Sequence, residues 1–335
     1  MNKIPIFILL SFFLVIQAGP KPNAGLKFTV DGKFKIAQFT DTHINIEKET
    51  NLAVYETVKE ILEIEKPDLV ILTGDIITEK NPEEGYRRFT DLFSKARVPW
   101  AVVFGNHESE NSYTRKQLAG FLHGLPFCLN SNKSNIKGES NFILPVFGNT
   151  KKAEALLYCM DSNDYSTLKP NVEGYDWFGF SQIEWYRKNS GAYKRANNGS
   201  PLPALAFFHI PLPEYTQAWN NKADKALGVR NEDECSPAIN SGMFTAMLEC
   251  GDVMGTFVGH DHINDYIGVY HNIALAYGRV TKVMKDPLND PMAGGRIIVL
   301  KESHRQFDTW IREKGGKKVL ECRWPDSFKT DTSKR

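Results

Sequence analysis

Five short groups of Asp, Asn and His residues carry the chemistry that this sequence offers. Carboxylate, amide and imidazole groups are ligands that proteins use to hold catalytic metal ions. Two of the groups each contain two such residues separated by one position, a spacing that points both side chains to one side of an extended chain. Each group alone has an ordinary explanation as a turn or a structural histidine, but together they predict a metal centre. The groups are Asp41-x-His43, Gly74-Asp75, Gly105-Asn106-His107-Glu108, His209 and Gly259-His260-x-His262.

Each group lies at the end of an apolar segment that is predicted to be a β-strand. The first three strands alternate with amphipathic helices at about 52–64 and 82–96, which predicts βαβ units in a mainly parallel sheet. Ligands of open α/β sheets bind outside the carboxyl ends of the strands, so the five groups are expected to converge there. The predicted strands are 34–40, 68–73, 100–104, 141–147, 154–161, 203–209, 253–259, 273–277 and 294–300, with further helices at 181–198 and 238–250. The strand-rich C-terminal part suggests a second sheet packed on the first.

The composition is that of an ordinary globular protein. Of 335 residues, 41% are hydrophobic and 24% are charged. No repeat or linker divides the chain, so residues 25–335 are predicted to form a single domain. The formal net charge of +1 provides no basic surface for nucleic acid. An anionic substrate must therefore be attracted by a local site.

The N-terminal segment predicts entry into the secretory pathway. Lys3, the apolar run Ile4 to Ile16 and the small residue Ala18 are typical of a signal peptide over residues 1–18. The alternative is an uncleaved signal anchor, although the run is shorter than the roughly 20 residues of a membrane span. No stable membrane insertion is expected, and the destination is extracellular, lysosomal or vacuolar. Sequons at Asn132 and Asn198 are the predicted glycosylation sites.

The five cysteines contain no C-x-x-C pair, which disfavours a zinc ribbon or a thioredoxin-like site. At least one disulfide is expected in an oxidising compartment. The pair Cys235 and Cys250 is the first candidate, because these two residues bracket one short helical stretch.

The five groups, in this order, resemble the motif set of the calcineurin-like metallophosphoesterases over roughly residues 33–300. The segments FFHIPLPEY, INSGMF and GHDHINDY look most like the purple-acid-phosphatase-like branch of that superfamily. The resemblance implies an α/β fold of four layers, in which two mixed β-sheets are flanked by α-helices. It also implies metal-dependent hydrolysis of phosphoric esters.

The chain departs from the purple acid phosphatases at two positions. Those enzymes have a metal-binding tyrosine three residues after the bridging aspartate, where this chain has Thr78. They have glycine where this chain has His43. We therefore expect His43 to supply the ligand that the tyrosine would have supplied.

Carried over residue by residue, the resemblance implies two metal ions per chain. One ion would be held by Asp41, His43, Asp75 and His262, and the other by Asp75, Asn106, His209 and His260, with Asp75 bridging. Fe, Zn and Mn suit these ligands about equally.

The hypothesised reaction is attack of a metal-bound hydroxide on phosphorus. His107 is the predicted catalytic residue, which stabilises the transition state or protonates the leaving oxygen; its alternative is a structural role beside the ligands. Asp265 is a candidate for orienting a ligand histidine or for capping a loop.

Three functions fit this predicted site. Hydrolysis of phosphomonoesters, in a small molecule or a phosphoprotein, is the first. A phosphodiesterase acting on nucleotide or lipid head-group diesters is the second, and a non-catalytic metal-binding interaction protein is the third. Substrate choice is expected to depend on the loops at 109–140, 161–180 and 213–237.

Overall fold

A computed structural model describes residues 25–45, 52–133, 135–282 and 293–328 of the chain. The predicted signal peptide and Ser134 of the first sequon lie outside these residues. Within them, no helix combines the length and the apolar character needed to cross a membrane.

The described residues form twelve β-strands and six α-helices. The strands are β1 (Lys33–Phe39), β2 (Leu69–Thr73), β3 (Trp100–Val103), β4 (Phe142–Phe147), β5 (Ala153–Cys159), β6 (Ala204–Phe207), β7 (Val253–Val258), β8 (Ile267–Tyr270), β9 (Ile273–Tyr277), β10 (Gly294–Lys301), β11 (Phe307–Glu313) and β12 (Lys318–Trp324). The helices are α1 (Leu52–Glu65), α2 (Glu83–Ala96), α3 (Arg115–Gly124), α4 (Phe180–Ala196), α5 (Glu214–Trp219) and α6 (Met243–Cys250).

The strands make two six-stranded sheets. The order is β12-β11-β10-β1-β2-β3 in the first sheet and β4-β5-β6-β7-β9-β8 in the second. The strands that precede the predicted site groups pair in parallel: β1 with β2 and β2 with β3 in one sheet, and β6 with β7 in the other. Antiparallel strands complete both sheets, so both are mixed.

The side chains of the central strands alternate between the two faces of their sheet, which accounts for the four layers. In β2, Leu69 and Ile71 face the core between the two sheets, whereas Val70 and Leu72 face the core under the helices α1, α2 and α3. The outer face of the second sheet is covered in the same way by α4, α5 and α6. Both faces of the central strands are buried, which is why they are continuous apolar runs. The predicted sandwich of two mixed sheets flanked by helices is confirmed.

The C-terminal strands differ from the prediction. Instead of building the second sheet, β10, β11 and β12 extend the first sheet, because β10 pairs antiparallel with β1. The predicted helix at 238–250 begins only at Met243, after Gly242 with its φ of 90°. Helices α3 and α5 and strands β8, β11 and β12 were not predicted.

The expected disulfide between Cys235 and Cys250 is absent, and the described residues contain no disulfide. The backbone N–H of Cys235 donates to Asp261 at 3.2 Å, beyond the carboxyl end of β7. Cys250 ends α6 just before the start of the same strand. A six-residue strand spans roughly 20 Å, far more than the roughly 7 Å that a disulfide tolerates between Cα atoms.

Candidate metal centre

The predicted groups meet at one edge of the sandwich, where strands of both sheets end. Asp41, Asp75 and Asn106 follow β1, β2 and β3 of the first sheet. His209 and His260 follow β6 and β7 of the second sheet. The site therefore lies across the two sheets and takes side chains from each.

The backbone at this edge turns sharply rather than continuing as extended strand. Asp41, His43, Asp75 and His260 have φ angles of 51°, 43°, 55° and 79°, in the left-handed region. Residues other than glycine rarely adopt this region, and it costs about 1–3 kcal/mol where the surroundings impose it. The same-side placement of Asp41 and His43 is thus produced by two tight turns, not by the extended conformation that the spacing suggested.

One cluster is centred on the buried Asp41 carboxylate. Its Oδ1 lies 3.5 Å from His262 Nε2 and 3.8 Å from His43 Nε2. The His43 and His262 rings point their Nε2 atoms toward each other, and these two atoms are 3.0 Å apart. Ligand atoms of these three residues all lie within 4.8 Å of one another, as the donors around one metal ion must.

A second cluster is centred on the buried Asp75 carboxylate. His209 Nε2 lies 3.1 Å from Asp75 Oδ2, and His260 Nδ1 lies 3.3 Å from His209 Nε2. His43 Nε2 is 3.8 Å from the same Asp75 oxygen, so Asp75 lies between the two clusters. This is the position that the predicted bridging ligand requires.

Hydrogen bonds to the backbone fix the orientation of the predicted ligands. His209 Nδ1 lies 2.8 Å from the backbone carbonyl of Thr73, so it donates there and leaves Nε2 toward the site. Asp41 accepts the backbone N–H of His260 at 3.0 Å. Such outer partners orient a metal ligand before the ion binds.

Two polar atoms of the site, Asn106 Oδ1 and His260 Nε2, are buried without a hydrogen-bond partner among the described residues. A buried polar atom without a partner costs about 1–3 kcal/mol. Asn106 Oδ1 can give a lone pair to a cation, which fits a metal at this site.

The pKa values of the site separate its charged groups from its neutral ones. Burial opposes ionisation of Asp41, but the hydrogen bond from His262 and the charge of His209 lower its pKa to about 2. Burial lowers the pKa of His43 to about 4 and that of His260 to about 3. Burial also opposes protonation of His209, yet the Asp75 charge raises its pKa to about 10. Burial likewise opposes protonation of His262, but the bond to Asp41 raises its pKa. Metal ions bind the deprotonated ligands, so protons on His209 and His262 compete with metal.

The sequence profile described as "Calcineurin-like phosphoesterase" matches residues 34–264. The chain belongs to the calcineurin-like phosphoesterase family. Its relatives include "Probable inactive purple acid phosphatase 29" of Arabidopsis thaliana, which is 33% identical over 314 residues, covering 81% of this chain and 79% of that protein. "Phosphatase DCR2" of Saccharomyces cerevisiae is 32% identical and covers 76% of this chain and 49% of that protein.

Among solved structures, a dimetal phosphatase from Danio rerio is similar in fold. It superimposes with a TM-score of 0.57 at 12% identity, covering 87% of this chain and 98% of that chain. The names of the Arabidopsis relatives agree with the purple-acid-phosphatase-like branch, and the predicted recognition is confirmed.

The role of Glu108 in this calcineurin-like site was missed by the sequence analysis. Its carboxylate is fully buried and accepts the backbone N–H groups of Gly105 at 2.6 Å, Asp75 at 3.0 Å and Ile76 at 2.7 Å. It thereby joins the loop after β3 to the loop after β2. Its place directly after Asn106-His107 was the only available signal, and that signal did not reveal the partners.

His107 lies at the open side of the site. Its Nε2 is 3.8 Å from Asp75 Oδ2, its backbone N–H donates to Asp75 Oδ1 at 3.0 Å, and its Nδ1 lies 2.6 Å from Glu110 Oε2. About a third of its side chain is exposed, in contrast to the buried His209. His107 can therefore reach a molecule bound at the site.

Asp265 has partners other than the ligand histidines. Its Oδ1 accepts the backbone N–H of Val229 at 2.9 Å, and its Oδ2 pairs with Arg279 at 2.9 Å. It thus holds the loop at 229, as the loop-capping alternative supposed. Asn132 and Asn198 are both exposed, and their glycosylation stays a prediction.

Proposed function

We propose that this chain is an active phosphatase that hydrolyses phosphomonoesters with two metal ions. The observation that carries the proposal is the convergence of six ligand-type side chains from both sheets, namely Asp41, His43, Asp75, His209, His260 and His262. Asn106 follows β3 at the same edge, and its buried Oδ1, which has no partner among the described residues, supports the proposal further because a cation can satisfy it.

The residues fit a two-ion assignment. Asp41, His43 and His262 would hold one ion, and Asn106, His209 and His260 would hold the other, with Asp75 shared between them. Ions held there would supply positive charge for phosphate oxygens and would acidify a water molecule near neutral pH. The metals expected remain Fe, Zn or Mn.

The chain's own residues then orient the ester and handle its leaving group. Asp75 is buried in the site, and His107 Nε2 lies 3.8 Å from its Oδ2. An ester whose phosphate lies over Asp75 places its leaving oxygen within reach of His107. A proton on Nε2 can pass to that oxygen as the bond to phosphorus breaks.

The relatives raise a specific alternative. "Probable inactive" is said of the Arabidopsis proteins, and a metal-binding protein without catalysis is the corresponding reading of this chain. Retained activity is supported here because every ligand position of the motif set is filled and the side chains converge. Fold alone does not decide between the two readings.

Metal content and hydrolysis test the proposal together. The purified full chain should carry about two metal ions and hydrolyse 4-nitrophenyl phosphate, with activity lost to chelator and restored by metal. Asp75→Asn should lower the rate by about 10³-fold or more, since it removes the shared ligand. Faster turnover of bis(4-nitrophenyl) phosphate would favour the diesterase, and bound metal without hydrolysis of either ester would favour the non-catalytic reading.

Entry into the secretory pathway is part of the same proposal. It is supported by the signal-like pattern of residues 1–18 and by sequons at Asn132 and Asn198. Expression in a secreting host should give a product that begins near residue 19 and loses mass on treatment with a glycosidase. A product that keeps Lys3 and stays with membranes would instead indicate a signal anchor.

A further inference from the structure

A continuous chain of hydrogen bonds crosses the mouth of the site. Asn106 Nδ2 donates to the Tyr165 hydroxyl at 3.2 Å, and that hydroxyl donates to Glu110 Oε1 at 3.1 Å. The other oxygen of Glu110 lies 2.6 Å from Nδ1 of His107. The four groups thus connect a predicted metal ligand to the predicted catalytic histidine.

The donor and acceptor roles in this chain have one consistent assignment. The Tyr165 hydroxyl carries one proton, so it accepts from the Asn106 amide nitrogen and gives its proton to Glu110. This orientation leaves Asn106 Oδ1 turned inward, where it is buried without a partner among the described residues. An ionised carboxylate only accepts, so the Glu110 contact requires the proton of His107 to be on Nδ1. Nε2 is then the only ring atom that His107 presents to the site.

Packing holds Tyr165 in its place. Its ring stacks on Tyr175 with centroids 5.7 Å apart, and Tyr175 in turn meets the His260 ring edge-on at 4.4 Å. A second bond joins the same two loops, because Ser109 Oγ donates to Asp164 Oδ2 at 2.5 Å. The loop that carries Tyr165 is therefore fixed against the residues that carry His107 and Glu110.

We propose that Glu110 is a positioning residue for His107, and that Tyr165 aligns Glu110 with Asn106. This proposal rests on the proposed function. Glu110 holds the His107 ring with Nδ1 toward the carboxylate and Nε2 toward the leaving oxygen of the ester. In the step, the oxygen of a water molecule bonds to phosphorus while the bond from phosphorus to the leaving oxygen breaks. His107, protonated on both ring nitrogens, gives its Nε2 proton to the leaving oxygen and keeps the Nδ1 proton toward Glu110. The proton that the water loses returns to Nε2. The products are an alcohol and inorganic phosphate.

The dependence on the leaving group distinguishes this role from a structural one. A nitrophenolate leaves without a proton, whereas an alkoxide needs one. The experiment compares kcat on 4-nitrophenyl phosphate and on glycerol 2-phosphate for the metal-loaded full chain and for Glu110→Gln. We expect a loss of about 10–100-fold on the glycerol ester, the range typical of groups that orient a catalytic residue, and a loss below about threefold on the aryl ester.

Three further variants complete the design. Glu110→Asp keeps the carboxylate and should recover part of the lost rate on the glycerol ester. Tyr165→Phe should also lower the rate on the glycerol ester, but its loss should be several-fold smaller than that of Glu110→Gln, because Glu110 keeps its bond to His107. Glu84→Gln makes the same chemical change on α2, where Glu84 pairs with Arg88, and should match the wild type. Metal content measured on each protein separates a positioning effect from loss of the ions.

Each result bears on one claim. Equal losses on the two esters, or no loss in Glu110→Gln, would overturn the role of Glu110 while leaving the proposed function intact. A wild-type chain that holds two metal ions but hydrolyses neither ester would overturn the proposed function itself.

Discussion

At the scale of single residues, Glu108 shows how much of the site depends on one buried carboxylate. Its two oxygens accept three backbone N–H groups, including that of Asp75, the predicted bridging ligand. Glu108→Gln puts an NH₂ group against at least one of these donors. Each buried donor left without an acceptor costs about 1–3 kcal/mol, so we expect a loss of about 2–4 kcal/mol. Urea unfolding of the metal-free protein measures it, and metal affinity should fall in parallel.

Tyr86→Phe is the matched control for that prediction. The Tyr86 hydroxyl lies 3.5 Å from Glu108, at the limit of a hydrogen bond. Its removal should cost less than about 1 kcal/mol. If Glu108→Gln is no less stable than Tyr86→Phe, water reaches the backbone donors and the proposed role of Glu108 is wrong.

That the candidate ligand residues come together could be predicted from the sequence, whereas the residues that support them could not. Asp75 and His209 each follow an apolar strand, and the carboxyl ends of parallel strands meet at one edge. Glu110 and Tyr165 are separated by 55 residues. Their contact depends on how two loops fold against each other, and no pattern of apolar and polar residues in the sequence predicts such a contact.

At the scale of secondary-structure elements, α1 is fastened to the first sheet through its last residue. Glu65 Oε1 accepts from Trp310 Nε1 and Arg312 Nε, both at 2.8 Å, and Oε2 lies 3.2 Å from Lys35 Nζ. Glu65→Gln should cost about 2–3 kcal/mol at pH 7, because hydrogen bonds to a charged group are stronger than neutral ones. Glu56→Gln on the exposed face of α1 should cost less than about 0.5 kcal/mol.

The contribution of Glu65 should also depend on pH in a defined direction. Burial opposes its ionisation, but the bonds from Trp310, Arg312 and Lys35 lower its pKa below the ordinary value of 4.5. Its stabilisation is then present above pH 4.5 and is lost as the pH falls through the lowered value. Unfolding curves of wild type and Glu65→Gln should therefore converge in acid. A difference that stays constant down to pH 3 would contradict this.

The elements that were predicted and those that were missed differ in a physical way. Strands such as β2 are buried on both faces and are recognisable as apolar runs. Strand β11 alternates buried and half-buried residues around polar Asp308 and Arg312, and it became a strand by pairing with β10. Helix α3 did carry a local signal, the capping box of Thr114 and Gln117.

At the scale of the whole molecule, the segments that follow β7 and β1 are in close contact at Gly259. A Cβ at Gly259 would lie 2.5 Å from Asp41 Oδ2 and closer still to Thr40 Oγ1, both at the end of β1. Gly259→Ala must therefore push the sheets apart at the site. We expect a loss of about 1–3 kcal/mol in stability, as for other overpacked cores, together with weaker metal binding.

Gly120→Ala in α3 is the corresponding control. A Cβ there meets no atom within 4 Å, and alanine favours a helix over glycine by about 1 kcal/mol. This variant should be as stable as the wild type or slightly more so, with unchanged metal content. Equal metal binding by Gly259→Ala and Gly120→Ala would show that the sheets can adjust without disturbing the ligands.

Because the ligands come from both sheets, bound metal should stabilise the molecule as one unit. Asp41 and Asp75 follow strands of the first sheet, and His209 and His260 follow strands of the second, so an ion between them is lost when either sheet unfolds.

One ion at 100 times its Kd adds about 2.7 kcal/mol to the free energy of unfolding. A gain of 1 kcal/mol raises the Tm of a large domain by about 2 °C, so chelation should lower the Tm by roughly 5 °C per site. Asp75→Asn, which lacks the shared ligand, should show a much smaller shift on chelation. Two separate transitions in the metal-loaded protein, only one of them sensitive to chelator, would contradict the coupling of the sheets.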